Sequence, residues 1–169
     1  MGRNPKKLAR MIKVVGLDPA FRKGGFGYCE LKYDMNKVVD VAFGSFADFK
    51  AFFVFVNSTD RKVVWGVENS NLQNITFAKY VKSHKISRNV GANQAVSQVT
   101  VDILRWHFGN DNVIEFSPKQ KGANWSLDIA NGVLHSYGLP KAKKISQDKI
   151  DALKIAILTL EKAKLNNLL

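Results

Sequence analysis

The chain has 169 residues, 46% of them hydrophobic and 24% charged. That is enough for one core without disulfide or zinc staples, and too apolar for intrinsic disorder. Its 26 Lys and Arg against 14 Asp and Glu leave a net charge of +12, which points to a polyanionic partner, nucleic acid before any other.

Cys29 is the single cysteine, so an internal disulfide and a cysteine-based metal cluster are excluded. The longest apolar run, 51–56, is six residues, far below the roughly 20 needed to cross a bilayer. The basic N-terminus has no apolar segment of the secretory type. No helical pattern has the strongly basic amphipathic face of a membrane-surface protein. The expectation is a cytoplasmic, DNA-associated protein with no membrane partner.

In chain order, residues 1–10 carry Arg3, Lys6, Lys7 and Arg10 and are expected to form a basic flexible arm. Residues 11–169 follow as a single domain. The run 12–18 is β-branched and stops at Pro19, so it predicts a central strand. Residues 22–25 predict a turn, 26–33 a second strand, and 37–44 a third, an antiparallel meander. From 46 to 56 the period changes: Phe46, Phe49, Phe52, Phe53 and Val56 recur at three- and four-residue steps, predicting an amphipathic helix. Residues 61–68 return to a buried strand.

Residues 69–88 are polar and irregular. A helix is predicted over 92–107, with Ala92, Ala95, Val96, Val99, Ile103 and Trp106 on one face. Residues 112–116 predict a short strand stopped by Pro118. A helix is predicted over 127–137, closed by Gly138 and Pro140, and a last helix from the cap Ser146 to about Leu165. Three antiparallel strands followed by alternating helix and strand predict an α/β fold, a mixed five-stranded sheet flanked by helices.

Four acids fall where charge is costly. Asp18 ends one apolar strand and Glu68 another. Asp148 and Asp151, three apart near the start of the last helix, share one face. Two readings stand for these carboxylates. Lysines can neutralise them in a structural ion-pair network. Alternatively they hold divalent metal, since carboxylate oxygens are the hard ligands Mg²⁺ prefers. Two such ions about 4 Å apart can drive phosphodiester hydrolysis. The dipole at a helix N-terminus offers a further role for Asp148 and Asp151. His84, His107 and His135 lack metal-ligand spacing. Gly24-Gly25-Phe26-Gly27 lacks the Lys-Ser/Thr of a phosphate-binding loop.

Gly16-Leu17-Asp18-Pro19, then Arg22 and Gly25-Phe26-Gly27, resemble the first motif of the RuvC-type Holliday junction resolvases of the RNase H-like superfamily. Val67-Glu68 resembles the second acidic motif, and the run from Asp148 and Asp151 through Ala152-Leu153 to Ile155-Ala156-Ile157 the closing one. The resemblance spans almost the whole chain. It implies an RNase H-like fold and a homodimeric endonuclease that resolves four-way DNA junctions by paired nicks. It also implies two Mg²⁺ ions per site, with Mn²⁺ able to substitute, held by Asp18, Glu68, Asp148 and Asp151. Lys119 and Lys121 occupy the region where that family contacts phosphate. Arg22, Lys79, Lys82, Lys85, Arg88, Lys143 and Lys144 are further candidates for the DNA backbone. The helix over 92–107 is the candidate dimer surface.

Two departures stand out. Ala20 follows Asp18-Pro19 where the family usually has glycine. The aromatic wedge that unstacks bases after the second acid is replaced by Asn69-Ser70-Asn71-Leu72-Gln73, leaving Leu72 or a displaced Phe77 for that task. Other readings from the same residues are a debranching nuclease acting on Y-forks and flaps, or a branched-DNA-binding protein without catalysis.

Overall fold

A computed structural model describes residues 11–20, 26–72 and 84–169, the side chains of 84–89 excepted. The expected arm at 1–10, the turn at 22–25, Arg22, Phe77, Lys79 and Lys82 lie outside the described residues. So do the side chains of Lys85 and Arg88.

Five strands form one mixed sheet in the order β3-β2-β1-β4-β5. Strands β1 (Ile12–Asp18), β2 (Phe26–Asp34) and β3 (Lys37–Phe46) make the antiparallel meander. Strands β4 (Val63–Glu68) and β5 (Val113–Phe116) extend it in parallel on the other side of β1. The near-continuous apolar runs of β1 and β4 follow from burial on both faces. Val15, Leu17, Val63, Trp65 and Val67 point into a core with helices α1 (Phe49–Ser58) and α2 (His84–Phe108). Val14 and Val64 point into the opposite core, under α4 (Leu127–Ser136) and α5 (Gln147–Leu165).

Two elements depart most from the sequence reading. Phe46 belongs to β3, and α1 begins only at Phe49, where the Asp48 carboxylate accepts from the Ala51 N–H at 2.8 Å. Phe46 mimics the helical period because it packs on Phe26, Tyr28, Phe52 and Phe55 from the strand side. Helix α2 starts at His84, eight residues before the predicted start, inside the stretch expected to be irregular. Its buried face is also rotated. Val96, Ser97, Thr100, Val101 and Leu104 go inward, whereas Val99 and Trp106 are 46% and 77% exposed. The inward polar Thr100 is tolerated because its hydroxyl donates to the Val96 carbonyl at 2.8 Å.

Helix α5 crosses the sheet in direct contact with backbone. A Cβ on Gly16 would sit 2.2 Å from the Ala152 carbonyl oxygen and 2.3 Å from the Ala156 nitrogen. Gly66, paired with Gly16 across β1 and β4, would meet Thr159 Oγ1 at 1.7 Å. Gly27 on β2 would meet the Asp148 carbonyl oxygen at 2.5 Å. Three neighbouring strands therefore present bare backbone along the diagonal the helix follows.

This contact predicts a contrast between two substitutions. Gly16→Ala has only helix backbone to push against and should cost about 3 kcal/mol, lowering the melting temperature by roughly 6–12 °C. Gly91→Ala, in α2 with open space around it, should be neutral or stabilising by up to about 1 kcal/mol. Thermal unfolding followed by circular dichroism distinguishes them, and a neutral Gly16→Ala would contradict the close packing.

Candidate active site

Side chains alternate along a strand, so the residues on the α5 face of β1 are Val14, Gly16 and Asp18, and those of β4 are Val64, Gly66 and Glu68. The two strands are parallel and pair Gly16 with Gly66 and Leu17 with Val67. Asp18 and Glu68 thus end neighbouring strands, on the same face, at the same end of the sheet. Gly27 pairs with Asp18 and lies beneath the Asp148 backbone. The first turns of α5 therefore arrive over those strand ends with Asp148 and Asp151. Ser146 holds the N-cap position through its backbone, its carbonyl accepting from Lys149 and Ile150 N–H at 3.1 Å each, without a side-chain cap.

The centre of this cluster holds a cation from the chain itself. Lys121 Nζ lies 2.5 Å from Glu68 Oε2 and donates to Asp151 Oδ2 at 3.3 Å. All three side chains are nearly buried, at 8% exposure for Lys121, 14% for Glu68 and 8% for Asp151. The other Asp151 oxygen accepts from Gln147 Nε2 at 2.8 Å. Burial alone would push the Lys121 ammonium down, but attraction to Asp18, Glu68 and Asp151 outweighs it and raises its pKa.

A short helix missed in the sequence reading, α3 (Pro118–Lys121), puts Lys121 there. Ser117 caps it: its Oγ accepts from the Gln120 N–H at 3.2 Å, and Gln120 Oε1 accepts from the Ser117 N–H at 2.8 Å. Gly122 ends it at φ 71°. The sequence signal was present in Ser117-Pro118-Lys119-Gln120, a capping box with proline at the first helical position, and a glycine just beyond the end. Lys119 on the same helix is exposed.

The segment after α3 is clamped to α5. Lys154, itself almost buried, donates to the Ala123 carbonyl at 2.5 Å and lies 5.3 Å from the centre of the Trp125 ring. Burial, then repulsion from Lys121, lowers its pKa. Gln147 Nε2 also donates to the Trp125 carbonyl at 3.2 Å. Trp125 thus serves packing.

Asn69, directly after Glu68 and 1% exposed, anchors the other flank. Its N–H donates to the Phe116 carbonyl at 2.8 Å, and its Nδ2 to Glu115 Oε2 at 2.5 Å. Glu115 is ion-paired with Arg105 of α2. The Asn69 side-chain oxygen accepts from the Asn71 N–H at 3.0 Å. These bonds fix the single helical turn Ser70–Leu72 and leave Leu72 48% exposed. Gln147, Lys154, Asn69, Glu115 and Arg105 were not singled out from the sequence. Their roles come from contacts between residues far apart in the chain. Lys143 and Lys144 are exposed on the loop that enters α5.

Asp18 bears the electrostatic cost. Desolvation raises its carboxyl from 3.8 to about 7; Lys121 pulls it down, and Glu68, Asp151 and Asp148 push it up. Among the described residues no three ligand-type side chains are already gathered into a metal site. The donor chemistry nonetheless fits Mg²⁺ or Mn²⁺: hard carboxylate oxygens around one buried cation, with Asp18 still short of positive charge.

No protein-family model matches the chain, and no curated protein matches its sequence. Among solved structures it is similar to T. thermophilus RuvC in complex with a Holliday junction substrate, with a TM-score of 0.54 and 18% identity over 91% of this chain and 96% of that one. The likeness shows the fold: a mixed five-stranded α/β sheet flanked by helices, like that of RuvC and as expected from the sequence. Among the described residues no helix is long and apolar enough to cross a membrane.

The Asp18 shift predicts how stability depends on pH. Its folded pKa lies above the unfolded value, so the group is destabilising once ionised. Stability is lost as pH rises from 3.8 towards about 7. Asp18→Asn should remove that slope and raise the melting temperature of the metal-free chain above neutral pH. Melting curves from acid to mildly alkaline pH test it; a variant that melts lower than the wild type above neutrality would contradict it.

Proposed function

We propose that the protein is a divalent-metal-dependent DNA endonuclease that acts on branched DNA, four-way junctions above all, as a homodimer. One observation carries the reading: in a RuvC-like fold, Asp18 and Glu68 end neighbouring parallel strands beneath Asp148 and Asp151 of α5. In this reading Mg²⁺ at two positions, with Mn²⁺ able to substitute, supplies an activated water and stabilises the leaving oxygen of the phosphodiester.

Asp18, Glu68, Asp148 and Asp151 would hold those ions. Burial of Glu68 and Asp151 limits water around the carboxylates and strengthens their attraction for cations. The exposed Lys143 and Lys144, on the loop that enters α5, and Lys119, on the short helix that carries Lys121, would hold DNA arms by their phosphates. Such contacts position the substrate without reading its sequence. Leu72, exposed on a turn locked by Asn69, is the wedge we assign to the branch point. A four-way junction offers two equivalent scissile phosphates, which suits a two-fold dimer. The outward half of the α2 apolar face, Val99 and Trp106, is the surface left for a second copy.

A second reading has a specific observation in its favour. Lys121 already neutralises Glu68 and Asp151, as in a branched-DNA-binding protein whose acids are structural. One experiment separates the two. Labelled four-way junction, Y-fork, flap, linear duplex and RNA–DNA hybrid are incubated with the protein, with and without Mg²⁺. The nuclease reading expects Mg²⁺-dependent paired nicks in the junction. It expects Asp18→Asn, Glu68→Gln and Asp151→Asn each to lower the rate more than about 100-fold while junction binding persists. Uncut junction at full binding would favour the structural reading, and equal cutting of forks and flaps a broader debranching activity. A chain that light scattering finds monomeric while it makes paired nicks would contradict the dimer.

A further inference from the structure

Lys121 is ion-paired with two carboxylates of the proposed metal site. Its ammonium lies 2.5 Å from Glu68 and 3.3 Å from Asp151, two of the side chains assigned to metal. The ammonium already occupies one oxygen of each of these two carboxylates, oxygens that a divalent ion would compete for. The position is built. Lys121 is 8% exposed, ends a helix fixed by a reciprocal capping box, and is followed by a segment that Lys154 and Gln147 tie to α5. Lys119, two residues earlier on the same helix, is exposed and paired with no carboxylate among the described contacts.

Resting on the metal-dependent reading, we propose that Lys121 is a resident counterion that competes with divalent metal for Glu68 and Asp151. The ammonium keeps mutually repelling carboxylates together in the metal-free chain. Metal entry breaks the two ion pairs, and the ammonium leaves the carboxylates. Metal affinity is thereby held below what the same carboxylates would give without an internal competitor. Energetic coupling of this kind is reciprocal: whatever draws the freed ammonium away, a DNA phosphate included, tightens the metal.

The test reads metal binding rather than cleavage. Mn²⁺ is titrated calorimetrically into the metal-free chain at one fixed pH for all variants. Wild type is compared with Lys121→Met, with Lys121→Gln, which keeps a hydrogen-bond donor for the carboxylates, and with Lys119→Met, which removes an equal charge from the same helix. Both Lys121 variants should bind Mn²⁺ at least about tenfold more tightly than wild type, and Lys119→Met within about threefold of it. Equal affinity in wild type and folded Lys121 variants overturns the competition alone. Absence of metal binding in every chain overturns it together with the metal-dependent reading. Should neither Lys121 variant fold, wild type still decides. On Mg²⁺ titration the Lys121 ε-methylene NMR signal should shift in step with saturation; a signal that stays put while metal binds overturns the proposal.

Discussion

The contact of α5 with the bare backbone of three strands is the constraint from which the site follows. Gly27, Gly16 and Gly66 face the helix on β2, β1 and β4, and each would clash with it if it carried a Cβ. A helix on an ordinary sheet stands off by the length of its own and the sheet's side chains. Here helix backbone meets strand backbone at Gly16 and Gly27, and the Thr159 side chain meets it at Gly66, so side chains near the helix start need little reach to meet those at the strand ends. The small Ala152 and Ala156 on the helix side make the approach possible. Both glycine pairings obey the strand alternation that also puts Asp18 and Glu68 on the helix face. Packing and placement of charge are thus one arrangement.

That arrangement concentrates negative charge in a poorly solvated place, and the rest of the local structure answers it. Lys121 enters the cluster, and Gln147 holds the remaining oxygen of Asp151. The compensation is incomplete, because burial pushes the Asp18 carboxyl up to about 7. A buried charge without a partner is expensive, and an incompletely neutralised group of carboxylates is a standing affinity for cations. The surplus of basic residues elsewhere, with Lys119, Lys143 and Lys144 exposed, is the charge with which the proposed nuclease would hold phosphates. The two together suit a protein that brings a phosphodiester to a metal.

Much of this was legible in the sequence, where the signal is local. Val14-Val15-Gly16-Leu17-Asp18 and Val63-Val64-Trp65-Gly66-Val67-Glu68 announce buried strands ending in acids, and the spacing of Asp148 and Asp151 sets both on one helical face. What was hidden depends on the third dimension. Phe46 kept helical spacing with Phe49 and Phe52 while belonging to a strand, because both sides of the aromatic cluster meet in space. The inward face of α2 includes Ser97 and Thr100, which polarity alone assigns to solvent. Lys121 read as a phosphate contact on a loop; nothing within ten residues of it shows that Glu68 and Asp151 surround it. The capping box at Ser117 and Gln120 was the one local clue that the lysine sits on a rigid element.

In the proposed reading Asp18, Glu68, Asp148 and Asp151 form one divalent-metal site. Anomalous diffraction from crystals grown with Mn²⁺ tests it most directly. Manganese peaks are expected at the ends of β1 and β4 beneath the first turns of α5, with Asp18 and Glu68 among the ligands and the Lys121 ammonium withdrawn from the carboxylates. Manganese bound only elsewhere, with Lys121 still seated between Glu68 and Asp151, would contradict it.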